Sequence, residues 1–389
     1  MIPRLTSRAT VVLGLSCLLA CSLSAHAAPL QVRSLTMKPP AQAKDLGMYA
    51  AGWAEGSIKM PFVIAEPPAA GMRINTRLFI EQFGMPPPPR PGESFSPPVD
   101  LLPEGTASLE FQLVRNDERV LAVSLTIEGC GAYCETYEQV YNFDARTGRL
   151  LLPSDLFSPS GWQAAGRRFA KEREQRYVSQ LKALKKELAE ARKSHAQADV
   201  VNDLNERIEL NQGCLEGARE VVKQSQQGAE TLHYASLSLE GAGVVTIHTG
   251  RCSAHVNRAL DDVGEVSVKF RTAELQPLLS PYGRALVLNQ GDAPAPASPF
   301  GQILRGQIGG APVTVMLETP QTDGSVAGRY YYDKYGRMIP IAGRLQGQTL
   351  ELTEETDGKK AQLSLTLQGA SLTGAWQGQG KTVKVSWGW

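Results

Sequence analysis

The chain has 389 residues, 40 basic against 39 acidic side chains and a formal charge of +1. So even a balance excludes the concentrated basic face that nucleic-acid binding requires, and no partner of that kind is expected. Hydrophobic residues make up 42%, an ordinary globular content, so the residues beyond a leader should form two or three domains with cores of their own.

The first 27 residues read as a signal peptide. Arg4 and Arg8 give a positive start, and Val11 to Ala20 is an apolar run too short to anchor in a bilayer. Ala25-x-Ala27 supplies the small residues a signal peptidase accepts. Leu18-Leu19-Ala20-Cys21 also resembles a lipobox, in which a lipid on Cys21 would be the protein's one attachment to a membrane. Both readings expect export, to the periplasm or to a lipoprotein anchor. Losing Arg4 and Arg8 with the leader moves the formal charge to −1.

Residues 28–55 read as a lead-in with room for one strand. From 56 the pattern is denser: Ile58 to Ile64 suits a strand and Ile74 to Phe83 a helix. Met85 to Pro103 is crowded with prolines, whose fixed φ and missing N–H exclude helix and sheet interior, so it should run as an extended loop. Residues 107–152 alternate as an antiparallel sheet, with a hairpin turn at Asp144-Ala145-Arg146-Thr147-Gly148.

The texture then changes to helix. Tyr177, Leu181, Leu184, Leu188 and Ala191 step by four and three, and Leu204, Ile208, Asn211, Leu215, Ala218 and Val222 repeat the rhythm. With a turn between Ser194 and Asp199, residues 162–226 are expected to fold back as an antiparallel hairpin; the same seam could dimerise, and the oligomeric state stays open. Strands resume at 232–240, 243–249 and 265–271. A last short helix, Thr272 to Leu279, is expected to end at Ser280-Pro281-Tyr282-Gly283. Residues 289–299 read as a solvated Pro/Ala linker. Residues 300–389 contain about eight short alternating runs between Gly-rich turns, the pattern of a small antiparallel barrel or sandwich. The expected fold class is α+β: an antiparallel sheet domain over 56–288 with the helical hairpin inserted, then an all-β domain.

Four cysteines lie beyond the leader: Cys130, Cys134, Cys214 and Cys252. An even number outside the cytoplasm suggests disulfides. Cys130 and Cys134 can bridge locally if the chain turns at Gly131, which leaves Cys214 with Cys252; the crossed pairings remain open.

Tyr141-Asn142-Phe143-Asp144-x-x-Thr147-Gly148, followed by Leu151-Leu152-x-x-Asp155-Leu156-Phe157, resembles the core signature of an extracytoplasmic bacterial family, domain of unknown function 3298. Ala70-Gly71-x-x-Ile74-Asn75, Glu240-Gly241-x-Gly243-Val244-Val245 and Leu275-x-Pro277-Leu278-Leu279-Ser280-Pro281-Tyr282-Gly283 resemble its flanking segments, so the similarity spans roughly residues 50–285. Members accompany peptidoglycan deacetylases or bind lysozyme, and the resemblance implies a role of that kind. Where members often carry a Gly-Gly-Ala-His-like segment, this chain has Cys130-Gly131-Ala132-Tyr133-Cys134, so a ligand-contacting loop would here be closed by a disulfide.

Catalytic patterns are sparse. His248-x-x-x-Cys252-x-x-His255 is the one spacing that suggests zinc, but Cys252 is better used in a disulfide, so no metal is expected. Ser179-x-x-Lys182 falls within a charged helix and lacks the companion motifs of penicillin-binding proteins. Asp144 and Asp155 would pair as glycosidase carboxylates only if turn and cap roles did not already claim them. Tyr330 and Tyr332 share one strand face and, with Trp376, could line a barrel mouth able to stack on sugar rings. The binding candidates are therefore Tyr133, Asp144, Tyr330, Tyr332 and Trp376, with no cofactor. The expected function is a non-enzymatic envelope binding protein for cell-wall glycan or a wall-active protein such as lysozyme. The alternatives are an envelope polysaccharide deacetylase or hydrolase using His248, His255 and Asp144, and a scaffold that docks a partner through its helical hairpin.

Overall fold

A computed structural model describes residues 28–38, 57–90, 92–98, 101, 106–130, 134–232, 235–356 and 358–389. The leader with Cys21, residues 39–55 of the lead-in, residue 56 and Tyr133 lie outside the described residues.

Three small sheets stack around two cores. In the first sheet β1 (Gln31–Met37) pairs antiparallel with β2 (Lys59–Ile64). Its other edge pairs parallel with β3 (Ser94–Phe95), a strand that the prolines around it hid from sequence reading. Helix α1 (Ala69–Phe83) covers this sheet with Ile74, Leu78, Phe79 and Phe83, and starts five residues before Ile74 because Ala69 and Ala70 follow Pro68 at the cap. It stops at Gly84, whose left-handed φ of 61° lets its N–H reach the Ile80 carbonyl.

The second sheet is β4 (Thr106–Asn116), β5 (Val120–Cys130) and β6 (Cys134–Asp144). Strand β5 is buried on both faces: Leu121, Val123, Leu125 and Ile127 enter the core beneath α1, while Val120 and Ala122 enter the next one. That second core is closed by β7 (Ser236–Gly241), β8 (Val244–Thr249) and β9 (Val266–Arg271).

Helix α2 (Pro153–Leu156) leads into the long hairpin of α3 (Pro159–Lys193) and α4 (Ala198–Gln226), which turns at His195 with φ 57°. The hairpin is intramolecular, and its seam is the expected one, with Cys214 added. Its base is not separable from the domain: Ala165 and Phe169 belong to the second core. Farther along, Tyr177 donates to Asp261, Asn211 to the Leu260 carbonyl, and Cys214 is bonded to Cys252. Beyond these ties Leu181, Leu184, Ala191, Leu204 and Ile208 pack between the two helices, with Val263 alongside them.

The expectation of a helix over Thr272–Leu279 is corrected. Helix α5 covers only Thr272–Leu275, and Ser280-Pro281 begins a new helix, α6 (Pro281–Val287), instead of ending one. The Ser280 hydroxyl accepts the Gly283 N–H and Pro281 sits where no N–H is needed, which is the chemistry of a helix start. Gly283 is required there, since a Cβ would lie 1.9 Å from the Leu156 carbonyl oxygen.

Residues 289–299 are strapped to the domain. Arg119 donates to the Gly291 carbonyl, Arg146 pairs with Asp292, and Arg149 donates to the Ser298 carbonyl. Ala293 and Ala295 rest on the second core. Most of the segment is exposed, in keeping with its composition, and arginines from two adjacent turns tie it down.

The last domain is a closed eight-stranded antiparallel barrel in sequential order. Its strands are β10 (Ile303–Ile308), β11 (Ala311–Leu317), β12 (Ser325–Tyr332) and β13 (Ile339–Gln346), then β14 (Thr349–Thr356), β15 (Lys359–Gln368), β16 (Ser371–Gly378) and β17 (Lys381–Gly388). Pairing of β17 with β10 closes it and excludes the sandwich. Leucines, valines, Tyr330 and Trp387 fill the interior. Outside, Tyr331, Met316 and Ile303 pack against Ile80 of α1 and fix the barrel to the first domain. Among the described residues no helix is long and apolar enough to cross a membrane.

Candidate functional site

The polar residues of the Tyr-Asn-Phe-Asp stretch are spent on holding layers together. Asn142 on β6 donates to the Leu237 carbonyl and accepts the Leu239 N–H, so one side chain joins β6 to β7. Asn75 does the same with both backbone groups of Val63. Asp144 is 1% exposed; it accepts the Tyr282 hydroxyl at 2.7 Å and the Arg146 N–H at 2.9 Å. Burial, and next the adjacent Asp144 charge, push the Tyr282 hydroxyl far above its usual range, so it remains a donor. Asp155 grips the fully buried Arg149 with both oxygens and also caps Leu152. Asp144 and Asp155 thus serve separate structural networks and form no carboxylate pair.

The disulfides follow the uncrossed pairing: Cys130–Cys134 at the tip of the β5–β6 hairpin and Cys214–Cys252 between α4 and the loop after β8. The second removes the Cys252 thiolate from the His248-Cys252-His255 spacing. Glu128 lies close to the Cys130 and Cys134 sulfurs, which are likewise committed to each other.

One cluster was not foreseen. Glu135, beside the first disulfide, accepts from His255 Nδ1 at 2.7 Å and from Arg251 at 3.1 Å, with Arg258 at 3.5 Å. The His255 hydrogen bond, more than any other contact, holds the Glu135 carboxyl below the usual carboxylate range. This clasp joins the two disulfide-closed loops. Its members come from positions more than a hundred residues apart, so no spacing could signal it. It also separates the imagined catalytic set: Glu135 and Asp144 stand at opposite ends of β6, about 30 Å apart along an extended strand, and His255 is at the Glu135 end. His248 is half-buried on β8, opposite Ser236 and Ser267. Ser179 and Lys182 are exposed on α3.

The barrel candidates do converge. Tyr330, Tyr332 and Trp376 all face inward toward the end formed by the β12–β13, β14–β15 and β16–β17 turns. The two tyrosine rings meet edge-on at 5.7 Å, and the Tyr330 hydroxyl donates to Glu354 at 2.5 Å. Burial first, and Glu354 next, raise the Tyr330 hydroxyl far beyond its normal range. Tyr330 is fully buried, so it is a packing residue; Tyr332 and Trp376 keep part of their surface open at the rim. Glu354 is the partner that sequence reading missed, although its alternation with Leu350 and Leu352 places it on the inner face.

Comparison of the chain with protein-family models, with curated proteins and with solved structures finds no match.

Proposed function

We propose that the protein is an exported, non-enzymatic binding protein of the cell envelope that engages wall glycan or a wall-active protein such as lysozyme. The observation that carries this reading is the state of its reactive side chains. Asp144, Asp155 and the His255–Glu135 pair, the groups best suited to proton transfer, are each bound to internal partners and lie on different parts of the fold. Two disulfides support an oxidising compartment. The resemblance to domain of unknown function 3298 supplies the class of partner. A barrel rim with Tyr332 and Trp376 suits contact with sugar rings. Retention of the full mature chain on purified sacculi and on immobilised lysozyme tests the reading. Binding to one of them is expected; binding to neither, at low salt and neutral pH, overturns it.

A further inference from the structure

The outer face of strands β14 to β17 has an unusual make-up. Thr353, Gln362, Gln377 and Thr382 stand directly opposite one another across the four strands, and all four are exposed. A second row runs Thr349, Thr366, Thr373 and Ser386. Between them lie Glu351, Ser364, Ala375 and Lys384. Barrel exteriors are commonly lined with mixed charges; here hydroxyl and amide groups dominate. Among the described residues, Gln362, Gln377, Thr353 and Thr382 make no side-chain hydrogen bond within the protein. Their donors and acceptors are therefore open to a ligand.

A shallow depression of about 560 Å³ lies over the first row. Ala361, Gly378 and Gly380 keep its floor low, and Lys360 and Lys381 stand at its edge. Gly378 is also confined from the barrel interior, where a Cβ would meet Ala361 Cβ at 2.6 Å and the Trp376 ring at 2.8 Å. Lys360 is paired with Glu355, whereas Lys359, Lys381 and Lys384 carry no ion pair among the described residues.

We infer that this face binds an extended glycan strand bearing carboxylates. The inference rests on the binding reading above and names its surface and ligand chemistry. Sugar hydroxyls exchange hydrogen bonds with amides and hydroxyls, and the unpaired lysines complement carboxylates beside the rings. Adjacent strands are about 4.8 Å apart, close to the length of one β-linked pyranose, so each strand can serve one sugar unit. A protein partner is disfavoured because the patch offers no exposed large apolar side chain to form a desolvated centre.

The test compares the mature wild-type chain with the double variants Gln362→Ala/Gln377→Ala and Lys381→Ala/Lys384→Ala. Lys185→Ala/Lys193→Ala on the helical hairpin is a control for charge loss alone. Circular dichroism establishes that each variant is folded. The probes are sacculi, a soluble uronic-acid polymer and neutral chitin. Each barrel double variant should bind the acidic glycans about tenfold more weakly or worse, while the hairpin control matches wild type. Preference for sacculi over the uronate polymer would assign the carboxylates to stem peptides; the reverse would assign them to the sugars; either supports the inference. Wild-type retention on sacculi that the barrel variants leave unchanged overturns this surface but not the binding reading. Equal affinity for chitin overturns the carboxylate requirement. Loss of all glycan binding in the wild type, with lysozyme binding kept, removes the surface and leaves the lysozyme arm standing.

Discussion

The α+β domain and the barrel solve the same problem by different means. In the barrel, every strand pairs with its sequence neighbour and β17 returns to β10, so backbone hydrogen bonds alone join all the elements. Its interior needs little more than apolar alternation. In the α+β domain three separate small sheets must be joined: a backbone bridge between Ile58 and Leu109 links the first two, and side chains make further joints. Asn75 and Asn142 each bind both backbone groups of a neighbouring segment, Arg149 and Asp155 link a turn to a helix start, and Glu135 ties two loops. A ladder tolerates many exterior sequences, so the barrel surface is free to vary. A side-chain joint fixes the identity of each residue that makes it.

The largest expected effect lies at such a joint. Asp155→Ala leaves the fully buried Arg149 charge uncompensated and should cost about 3–5 kcal/mol. Hydrogen exchange resolved by mass spectrometry should show the loss in the α+β domain, with the barrel protected as before. Equal loss in both would mean that the two regions unfold as one unit and would break the contrast.

Leu363→Ala is the reciprocal experiment. Leu363 is fully buried in the barrel, and its truncation should cost about 2–5 kcal/mol. Exchange should then accelerate in β10–β17 first. Replacing Cys214 and Cys252 together with alanine opens a loop of sequence separation 38 and should cost about 2–4 kcal/mol, read from urea denaturation. The Cys130–Cys134 pair, with a separation of 4, should cost less by the same chain-entropy argument.

The smallest effect concerns pH. Glu135 is held below its ordinary value of 4.5, chiefly by the His255 hydrogen bond. A depressed carboxylate contributes stability that is present above its unfolded value and lost as pH falls through the folded one. Wild type should therefore have a higher Tm than Glu135→Gln above about pH 4.5, and the difference should vanish in stronger acid. A constant difference across that range would remove the clasp from the stability of the α+β domain.

What could be read from sequence follows the same divide. Alternation and turn glycines located all eight barrel strands, and the steps of four and three located the helical hairpin. Parity put Tyr330 and Tyr332 on one strand face, and the closed barrel makes that face, with Trp376, the interior one. The errors fell where tertiary partners decide. Ser280-Pro281 has the composition of a stop, yet it is a start because Ser280 caps the Gly283 N–H. Ser94–Phe95 is a strand because β1 offers an edge to it. The prolines and alanines of 289–299 gave the exposed character of that segment but not its ties to Arg119, Arg146 and Arg149, which reach it from far upstream. The glutamine and threonine rows were visible as polar positions; their lateral alignment required the register.

That strapped segment has a mechanical consequence. A free tether would let the barrel tumble, so that two contacts made by one molecule would each bear their own orientational entropy. Here the outer end of the helical hairpin and the face of β14–β17 are parts of one bracket with a set span. A polymer or surface that offers two sites at that span would meet the second at a high effective concentration, and one with the wrong spacing would gain nothing from it. Cutting the exposed Arg146–Asp292 pair alone would leave the bracket standing, because Arg119, Arg149 and the packing of Tyr331 and Met316 on Ile80 still hold the barrel.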